Sequence, residues 1–143
     1  MNKSAQEYTF SILGGGLVGA SLALALQPLA KQLGSKIALI EKHPPQNFDL
    51  SDKQPSFDGR STALSWNSRL LFEQLGLWQI ISQQATPIEH IETSDKGYLG
   101  RVFMHAQEQQ TEALGYVVPN AWLGKCLWQA LNQASQVEIL APA

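Results

Sequence analysis

The sequence predicts an α/β fold that opens with a parallel strand–helix–strand unit. Three observations carry this reading. A β-compatible run at Tyr8–Leu13 enters a cluster of three glycines at 14–16, an Ala- and Leu-rich stretch follows at 17–33, and a second apolar run, Lys36–Ile40, ends in Glu41. Two apolar strands joined by a helix-length segment pair in parallel, because a tight turn joins only antiparallel neighbours.

The first strand alternates and then runs into Gly14-Gly15-Gly16-Leu17-Val18-Gly19. Glycines at 14, 16 and 19 fit G-x-G-x-x-G, the fingerprint of a dinucleotide site when it joins a strand to a helix. Gly14 permits the tight turn, Gly16 lets the backbone approach a pyrophosphate, and Gly19 lets the helix lie close to the strand. First-turn amides and the helix dipole would then face the phosphates. Glu41, 22 residues beyond Gly19, stands where an acid accepts from ribose hydroxyls at the end of the second strand. The unit is Rossmann-like, and an empty βαβ unit is the plainer alternative.

The helix at 17–33 is expected to bend or fray near Pro28, and Leu33-Gly34-Ser35 reads as its exit. Residues 43–57, with Pro44, Pro45 and Pro55, read as a long loop. Ser61 or Thr62 is expected to cap a helix running to Leu75 and stopping at Gly76, followed by a short helical piece at 78–84. Residues 88–93 and 101–105 alternate as a hairpin around turn chemistry at 94–97. A strand at 115–118, a helix at 122–134 and a strand at 137–140 complete the chain.

Composition excludes several functions. The 143 residues are 44% apolar and 15% charged, with a formal net charge of −2, so no basic groove for nucleic acid is expected. The single cysteine, Cys126, allows no internal disulfide and reads as a small buried hydrophobe in a reducing compartment. His43, His90 and His105 lack metal-ligand spacing, so no metal is expected. Residues 8–30 carry no charge, yet the glycines with Ser21, Gln27 and Pro28 make a poor membrane span. A cytoplasmic chain without a transmembrane segment is expected.

Asp58, Gly59 and Arg60 form a second constellation. It reads equally as a structural Asp–Arg pair or as an arginine aimed at a bound dinucleotide, where a guanidinium gives bidentate contacts.

The stretch 58–65, Asp-Gly-Arg-Ser-Thr-Ala-Leu-Ser, continuing to Leu-Gly-Leu-Trp at 75–78, resembles the FAD-dependent aromatic hydroxylases of ubiquinone biosynthesis. So do the segment from Gly14 to Glu41, the block Thr-Ser-Asp-Lys-Gly-Tyr-Leu-Gly at 93–100 and Leu-Gly-Tyr-Val-Val-Pro-Asn at 114–120. The resemblance implies a Rossmann-like FAD-binding domain of the class A flavoprotein monooxygenase type. It divides into a dinucleotide unit at 8–42, a helical segment at 57–84, a hairpin of the incipient substrate domain at 88–106 and a strand–helix–strand at 115–141. FAD would be reduced by NAD(P)H and activate O2, and one oxygen atom would pass to the ring of a prenylated phenol. Gly14, Gly16 and Gly19 would meet the FAD pyrophosphate, Glu41 the adenosine ribose, Arg60 the flavin cofactor, and Asn120 and Lys125 the ribityl region. Pro119 departs from the acid that many relatives carry there.

Members of that family run well past residue 143 and carry a second Asp-Gly and a later Gly-Asp segment. The resemblance therefore implies a C-terminally incomplete N-terminal portion that exposes apolar surface and does not hydroxylate by itself. Peripheral association with the inner membrane or a ubiquinone-biosynthesis complex is compatible with it. Two other readings stay open. One is an NAD-dependent dehydrogenase, which Gly14 to Glu41 cannot separate from an FAD protein although 58–60 favours FAD. The other is a non-catalytic binding or assembly module.

Overall fold

The computed structural model describes residues 7–43, 59–97 and 99–143. In chain order the elements are β1 (Tyr8–Leu13), α1 (Leu17–Gln32), β2 (Lys36–Ile40), β3 (Ser61–Ser65), α2 (Trp66–Gln74), α3 (Trp78–Ile81) with a 3-10 turn at Ser82–Gln84, β4 (Thr86–Ile88), β5 (His90–Ser94), β6 (Arg101–His105), β7 (Gly115–Pro119), α4 (Asn120–Gln133) and β8 (Val137–Leu140). They form two compact units. One joins the described residues up to Gly59 with Asn120–Ala143, and the other is Arg60–Pro119.

The first unit is a parallel sheet of order β1-β2-β8 with α1 packed on its strands and α4 packed against α1. Its central strand β2 buries Ile37, Ala38 and Leu39 in succession, as a parallel strand covered on both faces does. Leu13 lies beside Ile40 and Leu39 beside Ile139, so all three strands end together at the glycine loop and Glu41. The core is completed by Ala20, Ala23, Leu24 and Ala30 of α1 and by Leu123, Leu127 and Leu131, one stripe of α4 at helical spacing. Small residues on α1 bring its axis close to the sheet.

The expected exit of α1 is present. Gly34 has φ +63°, its N–H donates to Lys31 O at 3.2 Å, and the Ser35 N–H donates to Ala30 O at 3.0 Å. No break occurs at Pro28. The helix runs on to Gln32 because one lost backbone hydrogen bond is outweighed by the burial of Ala30 beyond it.

The second unit holds an antiparallel sheet of order β3-β7-β4 and the ribbon β5-β6. Here two expectations need correction. Residues 61–65 are a strand rather than the start of a helix, paired from Ser61 opposite Pro119 to Ser65 opposite Gly115. The cap is Ser65, whose hydroxyl accepts from the Ser68 N–H at 3.2 Å, and α2 ends ahead of Gly76 at φ +72°. The strand wins because Leu64 is buried and Gly115 lets β7 approach it, with Leu64 O lying where a Cβ on Gly115 would stand. The run 88–93 is also split. Ile88 pairs with Gly115 in one sheet, while 90–94 pair with β6 in the ribbon. On that ribbon Val102 and Phe103 are more than half exposed.

Arg69 organises the helical side of this unit. Its guanidinium lies 4.8 Å from the Trp66 ring and 5.7 Å from Trp78, and it pairs with Glu73 at 2.9 Å. Tyr116 of β7 stacks on Trp66 and meets Trp78 edge-on at 4.7 Å, which ties the helices to the sheet.

Candidate functional site

Residues 14–16 turn the chain from β1 into α1, and each glycine answers to a different constraint. Gly14 has φ +97° with no atom within 4 Å of its missing Cβ, so backbone conformation and not space calls for glycine. Its N–H donates to Ile40 O at 2.8 Å and ties the turn to the end of β2. A Cβ on Gly19 would collide with the Gly14 carbonyl oxygen and lie 3.3 Å from Ile12 Cγ2. Gly16 is the N-cap of α1, extended at φ −66° and ψ −175°. No side chain caps this end, and the first turn holds no acid. Amides at such a terminus, with the helix dipole behind them, suit an anion.

Glu41 reaches this loop. Its carboxylate accepts from the Gly15 N–H at 2.5 Å and, through the other oxygen, from the His43 N–H at 2.8 Å. Its own N–H donates to Leu140 O at 3.0 Å, so β8 helps to set its position. Gly14, Gly16, Gly19 and Glu41 are thus brought together as the sequence reading requires.

Two residues of this site escaped that reading. Gly15 is an unspecified position in the motif, yet both of its backbone polar groups are engaged by side chains. The N–H serves Glu41, and the carbonyl accepts from Trp128 Nε1 at 2.8 Å. A Cβ on Gly15 would lie 2.6 Å from Trp128 Cζ2 and 3.2 Å from Glu41 Oε2. Trp128 is only 3% exposed. The signal available for it was its indole N–H, which a buried tryptophan must satisfy.

Asn120 opens α4 and is buried, and Lys125 lies on the same helix with its ammonium 5.8 Å from the Trp122 ring. Arg60 is exposed and immediately precedes β3 in the second unit. Asp58 and the loop residues Pro44, Pro45 and Pro55 lie outside the described residues. Cys126 is buried and its thiol is pushed up to about 11 by desolvation, opposed by the charge of Lys125, which makes it a hydrophobe and not a nucleophile. His90 and His105, distant in sequence, face each other across the ribbon with Nδ1 atoms 2.7 Å apart. Among the described residues no group of three or more His, Cys, Asp or Glu side chains is placed to hold a metal ion, and no helix is long and apolar enough to cross a membrane.

No protein-family model matches the chain. Among solved structures it is similar to the flavin-dependent monooxygenase PieE, determined with FAD and substrate. The TM-score is 0.63 at 19% identity, over 92% of this chain and 23% of that one. It is similar also to PqsL, a probable FAD-dependent monooxygenase of Pseudomonas aeruginosa, with a TM-score of 0.64 at 17% identity over 92% and 32% of the two chains. The fold is a partial domain of the class A FAD-dependent monooxygenase type.

Sequence similarity narrows the class. The chain is 35% identical over 138 residues to the 3-demethoxyubiquinol 3-hydroxylase of Escherichia coli, across 96% of its own length and 33% of the relative's. It is 31% identical over 133 residues to the ubiquinone hydroxylase UbiL of Rhodospirillum rubrum, across 92% and 29%. The chain therefore matches an N-terminal portion of the ubiquinone hydroxylase family and spans about a third of the length of these relatives.

Proposed function

We propose that this chain is the part of an FAD-dependent ring hydroxylase that holds the adenosine and pyrophosphate end of the cofactor. The substrate class is a prenylated phenol of ubiquinone biosynthesis, with NAD(P)H as reductant and O2 as co-substrate. One observation carries the reading: the uncapped N-terminus of α1 stands behind a glycine turn that Glu41 clasps from the end of β2.

The residues present fit the group. Gly14, Gly16 and Gly19 shape the turn so that first-turn amides meet the pyrophosphate. Each Glu41 oxygen accepts one backbone N–H and keeps a lone pair for a ribose hydroxyl. Arg60, Asn120 and Lys125 complete the proposed contacts, toward the cofactor and its ribityl chain. FAD, when bound, supplies the redox chemistry and the activation of O2. This chain's own contribution is to bind and orient it. Spanning a third of its relatives' length, the chain is proposed to bind FAD without hydroxylating on its own. We propose a cytoplasmic location, with peripheral association at the inner membrane or with a ubiquinone-biosynthesis complex.

The test is a titration of the chain with FAD, NAD and ADP, followed by absorbance in the flavin region after gel filtration. Retained flavin supports the proposal. Retained NAD with no flavin turns the reading to a dehydrogenase. Oxidation of NAD(P)H coupled to hydroxylation of a prenylated phenol by the chain alone would refute the claim that it only binds.

A further inference from the structure

We propose that Trp128 is a positioning residue for the phosphate-facing peptide of the glycine loop, acting through Gly15. The inference rests on the nucleotide reading above and adds to it a residue from the far end of the chain.

Three consecutive glycines are the least pre-organised loop a chain can offer, since each explores both signs of φ. Left to itself the loop would lose this freedom on binding a ligand, at the expense of affinity. In this structure both peptide planes around Gly15 are held. The Gly14–Gly15 plane is held by its N–H, on the Glu41 carboxylate, and the Gly15–Gly16 plane by its carbonyl, on Trp128 Nε1. A trans peptide points its N–H opposite to its C=O. Fixing the Gly15 carbonyl toward the buried indole therefore turns the N–H of Gly16, the N-cap of α1, away from it. Gly15 also admits no side chain, because the Trp128 ring occupies that space. The ring is itself locked, being part of the buried stripe of α4 beside Leu127 and Leu131.

Trp128→Phe keeps most of the ring and removes the N–H. Its affinity should be read by titration with FAD and, separately, with ADP, which shares the pyrophosphate and lacks the flavin. Both dissociation constants should rise about five- to tenfold, the effect of one hydrogen bond to a pre-organised group. Leu131→Ala is the control. It is buried on the same helix, carries no side-chain hydrogen-bond donor to offer the loop, and should lower the unfolding midpoint at least as much while leaving both affinities unchanged in the folded protein. In the wild-type chain the Trp128 indole N–H proton signal should shift and its exchange should slow on addition of ADP, which a merely structural tryptophan would not show. Unchanged affinities in Trp128→Phe, or losses that follow the unfolding midpoint equally in both variants, overturn the inference. If Trp128→Phe does not fold, an indole signal indifferent to ADP overturns it. Wild-type chain that binds neither FAD nor ADP overturns the nucleotide reading, and the inference falls with it.

Discussion

Gly19 and Gly14 should fail for different reasons and by different amounts when each is changed to alanine. On helix propensity alone Gly19→Ala is favourable by about 1 kcal/mol, because position 19 lies inside α1. Against this stands a Cβ directed into the Gly14 carbonyl oxygen, with Gly14 C at 3.1 Å and Ile12 Cγ2 at 3.3 Å. The first obstacle is backbone and cannot rotate away, so α1 must lift from β1. Overpacking of this kind costs about 1–3 kcal/mol, and the lift also loosens the packing of Ala20, Ala23 and Leu24. With a backbone obstacle the cost lies at the upper end of that range, about 3 kcal/mol, and subtracting the propensity gain leaves a net loss of about 2 kcal/mol. Gly14→Ala meets no atom and carries only the strain of positive φ, about 1 kcal/mol. Urea unfolding measures both. With a slope of about 1–3 kcal/mol per molar, Gly19→Ala should lower the midpoint by about 1 M and Gly14→Ala by about half of that. A Gly19→Ala chain as stable as wild type would refute the close approach of α1 to the glycine turn.

Other outcomes follow from the same geometry. Gly16→Val should abolish FAD binding in a titration while the far-ultraviolet spectrum stays that of the wild type. Glu41→Ala removes the acceptor of two backbone N–H groups and should weaken FAD binding by about 1.5–3 kcal/mol, with Glu41→Gln intermediate, by calorimetry. Arg69→Ala should destabilise the chain by about 1–2 kcal/mol in urea through loss of its stacking on Trp66 and Trp78, and Arg69→Lys should restore only part of this. Cys126 gives a pH signature. Its folded thiol is raised from 9.0 to about 11, so the unfolded chain loses that proton first. The stability due to the neutral thiol is complete below about pH 9 and is lost as pH rises toward 11. Cys126→Ala should flatten that part of a melting-temperature profile, and a thiol reagent should react with the wild type only after denaturation.

The elements legible in the sequence are those whose pattern is local. Tyr8–Leu13, the helix after it and Lys36–Ile40 declare themselves by period and by glycine. Gly34 and Gly76 mark helix exits that the structure places at positive φ. What was not legible depends on partners far away in sequence. Ser61-Thr62-Ala63-Leu64-Ser65 carries cap residues that suit a helix start, and only pairing with 115–119 makes it a strand. Residues 88–93 read as one strand because nothing local shows that Ile88 joins β7 while Ile91 joins β6. In the site, motif logic named Gly14, Gly16, Gly19 and Glu41 but passed over Gly15. The middle glycine is required by a tryptophan 113 residues away, which no spacing rule encodes.

That distance bears on how the loop comes to exist at all. The segment 8–41 contains every residue of the dinucleotide motif, yet it does not hold its own loop in place. Glu41 is set by a hydrogen bond to Leu140 on β8, and Gly15 by Trp128 on α4. Without β8, β2 would become an edge strand, and three buried residues, Ile37, Ala38 and Leu39, would lose cover. The first unit is therefore discontinuous for a physical reason. The intervening 60–119 form their own sheet, and residues 120–140 return to finish the first one and to brace its glycine turn. A binding loop assembled this way forms only after a long-range closure, which is slow relative to local helix formation. The setting of the glycine turn and completion of the first unit's fold are then a single event.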